Sequence, residues 1–211
     1  MTEQLEDYIL HHIDAEPEHL YHLDRDTHIH LLYSRMCSGH LQGRLLKMLV
    51  RMAKPRRVLE LGTFSGYSAQ CLAEGLLDDE AQVHTIEIED ELEDFLREHF
   101  AASPFGHRIH LHIGDANEIL PRLNETFDLV FVDANKRQYP EYYEMVLPHV
   151  AKGGFIIADN TLWDGKVADP STKPDPQTEG IRRFNDIVAT DPRVETVIIP
   201  LRDGLTILYK K

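Results

Sequence analysis

Beyond Lys54-Pro55 the chain alternates short apolar runs with segments of helical period, and that rhythm constrains the fold more tightly than any other feature. Residues 57–61 form the first β-like run, Gly62 to Gly66 make a turn, and 68–77 is apolar at helical spacing. The unit recurs as strand 82–86 and helix 91–100, strand 109–113 and helix 116–123, strand 127–132 and helix 140–150, then strand 154–158. Strands separated by such helices require right-handed crossovers, so the spacing predicts an α/β fold with a mostly parallel sheet covered on both faces. The end breaks the pattern. After a helix at 179–189, runs 194–199 and 205–209 are joined only by Pro200-Leu201-Arg202-Asp203-Gly204. So short a connection cannot join parallel strands, and the sheet should close with an antiparallel hairpin. Residues 1–53 are helical in pattern, with Pro17 and Gly39 dividing them into three helices. At 211 residues the chain fits a single domain, with 1–53 as a helical cap on a core of 54–211.

Composition removes several classes of function. No apolar stretch reaches the ~18 residues of a membrane span, and the acidic first residues are unlike a signal peptide. Two cysteines, Cys37 and Cys71, suit a reduced cytoplasm better than a disulfide framework. A net charge of −14 argues against non-specific binding to nucleic acid or an anionic membrane. The histidines crowd towards the N-terminus, but His28 and His30 are two apart and share no helix face, so a zinc site is not expected there. The acids at Glu89, Asp90, Glu91, Glu93 and Asp94 open a helix, where they complement its dipole on a solvated face.

Chemistry concentrates at strand ends. Glu60-Leu61-Gly62-Thr63-Phe64-Ser65-Gly66-Tyr67-Ser68 sits where the first strand gives way to a helix. Its glycines permit a tight turn and close backbone approach, and the helix start offers unpaired N–H groups. The spacing is Gly-x-x-x-Gly, not the dinucleotide Gly-x-Gly-x-x-Gly. Glu87 ends the second strand, where an acid can accept both hydroxyls of a ribose. Gly114-Asp115-Ala116 belongs to the same edge and could border an adenine, although Asp115 alone is simply a good helix N-cap. The fourth strand ends at Asp133, followed by Ala134-Asn135-Lys136, and the fifth ends at Asp159-Asn160. Two carboxylates and an amide oxygen are hard ligands suited to Mg²⁺ or Ca²⁺. Lys136 follows Asp133 by one short turn, which could aim its amine into the same pocket.

With these residues assembled, the chain resembles the metal-dependent class I O-methyltransferases that use S-adenosylmethionine, the caffeoyl-coenzyme A and catechol O-methyltransferase group and its bacterial relatives. The resemblance is carried by Met36-Cys37-Ser38 ahead of Gly43, by 60–68, by Thr85-Ile86-Glu87 and by Asp133-Ala134-Asn135-Lys136 with Tyr139. Asp159-Asn160-Thr161-Leu162-Trp163 and Asp203-Gly204-Leu205 complete it, in order from about Arg35 onward. It implies a Rossmann-like class I methyltransferase fold. It also implies that Ser38, Glu60, Gly62, Thr63, Ser68, Glu87, Asp115, Ala116, Asp133 and Asn135 line the S-adenosylmethionine site. Asp133, Asp159 and Asn160 would hold a divalent cation, Mg²⁺ before Ca²⁺ or Mn²⁺, with Lys136 as base. Asp133, Lys136, Trp163 and Asp164 would face the acceptor, an aromatic vicinal diol, and the protein would be a homodimer. The plant enzymes carry Asp where Asn135 stands and Asn where Asp164 stands. The resemblance therefore implies the chemistry and not caffeoyl-coenzyme A as the acceptor.

Three further expectations complete the reading. Lys136 can act as a base only if its pKa falls well below the ordinary ~10.4. The stretch 167–178, with three prolines, is long for a structureless piece, and the segment 163–178 should act as a mobile acceptor lid together with the helices before Met36. Two competing functions are a tRNA 5-hydroxyuridine O-methyltransferase, using Arg35, Arg44, Lys47, Arg51, Lys54, Arg56 and Arg57 as a patch, and a nicotinamide-dependent oxidoreductase.

Overall fold

The computed structural model describes residues 3–173 and 175–211. Three helices come first: α1 (Glu3–Leu10), α2 (Glu18–His30) and α3 (Gly39–Ala53). The expected rhythm follows with β1 (Arg57–Leu61), α4 (Tyr67–Gly75), β2 (Gln82–Glu87), α5 (Glu93–Ala102), β3 (Ile109–Ile113), α6 (Ala116–Leu123) and β4 (Phe127–Val132). The chain ends with α7 (Tyr139–Val146), β5 (Val150–Asp159), α8 (Pro176–Thr190), β6 (Val194–Ile199) and β7 (Leu205–Lys210). The seven strands run in the order β3-β2-β1-β4-β5-β7-β6. The first five are parallel, and β7 lies antiparallel between β5 and β6, which is the expected hairpin closure.

Alternate strand residues serve opposite faces, as the two-residue period of a pleated strand requires. Leu59, Leu61, Val130, Val132 and Ile156 pack under α6, α7 and α8 with Leu120, Tyr143 and Phe184. Their neighbours Val58, Leu129, Phe131 and Ile157 pack under the N-terminal helices with Leu20, Leu46, Val50 and Leu72. Gly43 and Gly75 let α3 and α4 approach closely: a Cβ on Gly43 would meet Cys71 Sγ at 2.7 Å.

Two boundaries differ from expectation. The helix expected over 140–150 ends at Val146, and β5 begins at Val150 rather than at 154. The glycines read as a strand boundary instead sit inside β5, where Gly153 has φ +82° and the register against β4 shifts between Phe127 and Leu129. A glycine inside a strand marks such an irregularity. The stretch 167–178 is less structureless than expected. Residues 167–172 fold into successive turns, and α8 starts at Pro176, capped by Asp175, which accepts from the N–H groups of Gln177 and Thr178. Of the three prolines, Pro174 lies outside the described residues.

Topology places the site. The chain leaves β1 towards β2 and β3, then returns to β4 on the other side of β1. Ligands in open α/β sheets bind at such a switch point, beyond the carboxyl ends of the strands. The register pairs Leu61 with Ile86 and Val132, and Val132 with Ala158. Gly62, Glu87, Asp133 and Asp159 therefore emerge along one edge.

Candidate active site

At the β1–α4 turn the backbone is tightly held. Gly62 has φ +93°, and a Cβ there would meet Asp133 O at 2.2 Å, so only glycine fits between the two strand ends. Phe64 is left-handed at φ +49°, a conformation costing a non-glycine residue about 1–2 kcal/mol. Glu87 secures this turn. Its Oε2 accepts from the backbone N–H of Thr63 (3.1 Å) and Phe64 (2.7 Å), and its Oε1 from that of Glu89 (3.0 Å). An ionised carboxylate offers about four acceptor positions, so capacity remains for a ligand hydroxyl. Sequence reasoning missed this clamping role, because the turn geometry that needs it is invisible without coordinates.

Ser38, Gly62, Thr63, Ser68 and Asp133 meet around one narrow cleft, joined by Met36, Cys37, Phe64, Ser65 and Tyr67. Its free volume is only about 10 Å³, roughly one water. Asp115 caps α6 through the N–H of Asn117 (2.8 Å), Ala116 opens that helix, and Asn135 is exposed and caps the turn at Arg137 (3.2 Å). None of these three joins the cleft lining.

Glu60 lies beneath the cleft, fully buried. Its Oε2 accepts from Thr85 Oγ1 (2.5 Å), while Oε1 has no partner. An orphaned buried carboxylate oxygen beside a glycine turn and an uncapped helix start fits a ligand carrying a donor or positive charge. Burial pushes the carboxyl up to about 8, opposed by the nearby Ser68 and Thr85 hydroxyls, with the charges of Asp133 and Glu87 adding to the rise. The folded state thus holds this proton more tightly than the unfolded chain. The associated stability is complete below the ordinary value of 4.5 and is lost as pH rises towards about 8. Glu60→Gln should remove that loss, worth at most ~1.4 kcal/mol per pH unit. Urea unfolding from pH 5 to 8 should show the variant gaining on the wild type, and parallel profiles would refute the assignment.

Asp133, Lys136, Tyr139 and Asp159 form a second, connected group. Lys136 Nζ donates to Asp133 Oδ1 (2.6 Å) and to Tyr139 Oη (2.9 Å), and Tyr139 Oη lies 2.9 Å from the Asp159 carbonyl. Asp159 Oδ1 accepts the N–H of Asn160 (2.7 Å), and Oδ2 accepts from Gln42 Nε2 (2.5 Å). Burial raises the Asp159 carboxyl to about 6, helped by the charge of Asp133 and opposed by Lys136, Gln42 and the Asn160 N–H. Lys136 departs from expectation. Burial pulls its ammonium down, but Asp133 and Tyr139 outweigh burial and the net shift is upward. With Asp133 and Tyr139 as its partners, Lys136 is held as an ammonium rather than a base.

Among the described residues, no three His, Cys, Asp or Glu side chains gather as a metal cage. The expected donor set is different in kind: the Asp133 and Asp159 carboxylates with the Asn160 amide, all oxygen donors, which suits a hard divalent cation. Asn160 (φ +57°), Trp163 (φ +47°) and Asp164 (φ +54°) all adopt left-handed backbone directly after β5. The hairpin turn supports this strained loop, since Thr161 N–H donates to Gly204 O (3.1 Å) and Leu162 N–H to Asp203 O (2.7 Å). From behind, Arg182 on α8 donates to the carbonyls of Lys166 (2.8 Å), Val167 (3.1 Å) and Asp169 (3.0 Å), and Asn185 to that of Thr161 (2.9 Å). Trp163 is half-buried with Lys166 Nζ 5.6 Å from its ring centre, and Asp164 is exposed. A cavity of about 360 Å³ beside Val167, Ala168 and Arg182 contains none of the expected site residues.

A mostly parallel sheet flanked by helices, with a Gly-x-x-x-Gly turn and acids at its switch point, is a nucleotide-type binding edge. The chain belongs to the O-methyltransferase family, whose model matches residues 11–211. A caffeoyl-CoA O-methyltransferase of Stellaria longipes is 32% identical, over 97% of this chain and 89% of its own length. Tricin synthase 2 of Oryza sativa subsp. japonica is 34% identical, over 98% of this chain and 74% of its own. The O-methyltransferase TomG of Streptomyces achromogenes, solved in complex with SAM, superposes with a TM-score of 0.91 at 32% identity, covering 100% of both chains. The protein is thus an S-adenosylmethionine-dependent O-methyltransferase of the caffeoyl-CoA type. The nicotinamide oxidoreductase reading is overturned. No helix among the described residues is long and apolar enough to cross a membrane.

Proposed function

We propose that the protein methylates one hydroxyl of an aromatic vicinal diol, with a divalent cation held by Asp133, Asp159 and Asn160. The observation that carries this reading is the register Val132↔Ala158, which sets both carboxylates side by side next to Gly62. When bound, S-adenosylmethionine supplies an electrophilic methyl group, and a divalent cation supplies the charge that orients two adjacent hydroxyls and eases ionisation of one. Ser38, Thr63, Ser68 and Glu87 bind the methyl donor, with Glu60 beneath it and Asp115, Ala116 and Asn135 at its outer end. Lys136 handles the proton at Nζ. Its ammonium is raised chiefly by Asp133. Neutralising that carboxylate removes the raising charge and leaves burial, which lowers the pKa, as the dominant influence. Trp163 and Asp164 face the acceptor.

Trp163 offers a flat apolar surface beside polar ligands. Trp163→Ala should raise the acceptor KM or reorder preference among catechols, with S-adenosylmethionine affinity little changed. Equal loss for every acceptor, accompanied by weaker cofactor binding, would make Trp163 structural.

A tRNA acceptor is not favoured. Four of the seven basic residues considered for an RNA patch are engaged: Arg44 and Lys47 with Glu74 (2.7 and 2.7 Å), Arg56 with Asp78 (3.1 Å) and Arg57 with Glu125 (3.1 Å). We also propose a homodimer, for which the open β6 edge with exposed Val197 and Ile198 provides a surface. Transfer of isotope-labelled methyl from S-adenosylmethionine to a catechol panel beside total tRNA tests the substrate class. Label on catechols is expected, and label confined to tRNA would overturn the reading.

A further inference from the structure

Arg202 occupies a conformation that favours glycine. It sits at φ +47° in the β6–β7 turn, and a strained non-glycine residue persists where the surroundings over-determine it. Its guanidinium reaches across to the start of α3, donating to the carbonyls of Ser38 and Cys37 and to Gln42 Oε1 (3.2 Å). Gln42 is almost fully buried and passes the contact on, its Nε2 donating to Asp159 Oδ2 at 2.5 Å.

The chemistry of these groups fixes a direction. A carboxylate only accepts and a guanidinium only donates, whereas a glutamine amide has one end of each kind. Alone, the Gln42 amide could turn over and exchange oxygen for nitrogen at little steric cost. Arg202 at one end and Asp159 at the other admit a single orientation. With Oδ2 held by Gln42 and Oδ1 by the Asn160 N–H, rotation of the Asp159 carboxylate about its last bond is arrested.

We propose that Gln42 is the positioning residue that orients Asp159 for a divalent cation, and that Arg202 holds Gln42 in the donating pose. This rests on the cation reading of Asp133, Asp159 and Asn160. Partners outside the ligand set commonly set metal affinity by 10–100-fold, and these two come from elements remote in sequence from the ligands.

The test is calorimetric titration of the intact protein with Mn²⁺ in the presence of S-adenosylhomocysteine, which needs no turnover. Gln42→Met should weaken Mn²⁺ binding about 10–100-fold and leave the S-adenosylhomocysteine Kd, measured without metal, nearly unchanged. Arg202→Gly removes the guanidinium and relieves the left-handed backbone together. It should weaken Mn²⁺ in the same direction while the melting temperature holds or rises, an outcome a merely structural role would not give. Unchanged Mn²⁺ affinity in both variants overturns the relay and leaves the cation reading standing. Weaker Mn²⁺ binding accompanied by a lower melting temperature in Arg202→Gly also overturns it. A wild-type protein that binds S-adenosylhomocysteine but no Mn²⁺ removes the cation reading, and the relay with it.

Discussion

Exhaustive chelation of divalent cations is expected to abolish methyl transfer while S-adenosylmethionine binding survives. The two functions share an edge and meet at Asp133, but their other anchoring groups differ. The cleft is built on Gly62, Ser38 and the Glu87 clamp, whose hydrogen bonds run to backbone N–H groups and need no ion. The proposed cation depends on Asp133 and Asp159. Asp159→Ala should reproduce the chelated state, with metal affinity falling by about 10-fold or more and the fold intact. Its side chain sits at a strand end and its main-chain pairing with Leu205 does not involve the carboxylate. Activity that persists after exhaustive chelation would remove the Asp133/Asp159/Asn160 assignment.

Lys136→Ala should lower kcat by about 10²–10⁴-fold, the range of general acid–base catalysis, with much less effect on cofactor affinity. The ammonium is nearly buried and bonded to Asp133 and Tyr139, so truncation also leaves a carboxylate without its cation. A pH–rate profile separates the two effects. If Lys136 takes the acceptor's proton, raising the pH pre-ionises that hydroxyl and partly restores the variant. Near wild-type turnover at neutral pH would exclude Lys136 from the mechanism, and a uniform loss at every pH would reduce it to a structural partner of Asp133.

What was legible in the sequence was local. The βα rhythm fixes a parallel sheet, the five-residue connection before Leu205 fixes its antiparallel closure, and acids at successive strand ends must share an edge once the strands are parallel. Where local signals conflict, reading fails. Gly153 and Gly154 look like a boundary but serve an irregularity inside β5. Long-range partners left no mark. Gln42 and Asp159 are 117 residues apart and Arg202 lies 160 beyond Gln42, and no periodicity links such positions. The upward shift of Lys136 was also missed, because the spacing that brings its amine to the pocket equally brings it against Asp133.

The grip of Arg182 on the segment after Trp163 has an evolutionary consequence. It holds the carbonyls of Lys166, Val167 and Asp169, and Asn185 holds that of Thr161. Every chain carries these main-chain groups whatever its side chains, so the anchor is indifferent to residue identity at those positions. Side chains there can drift without loosening the loop that follows Trp163. A lineage built on this chain can therefore vary residues 166–169 by point changes while the loop keeps its course after β5.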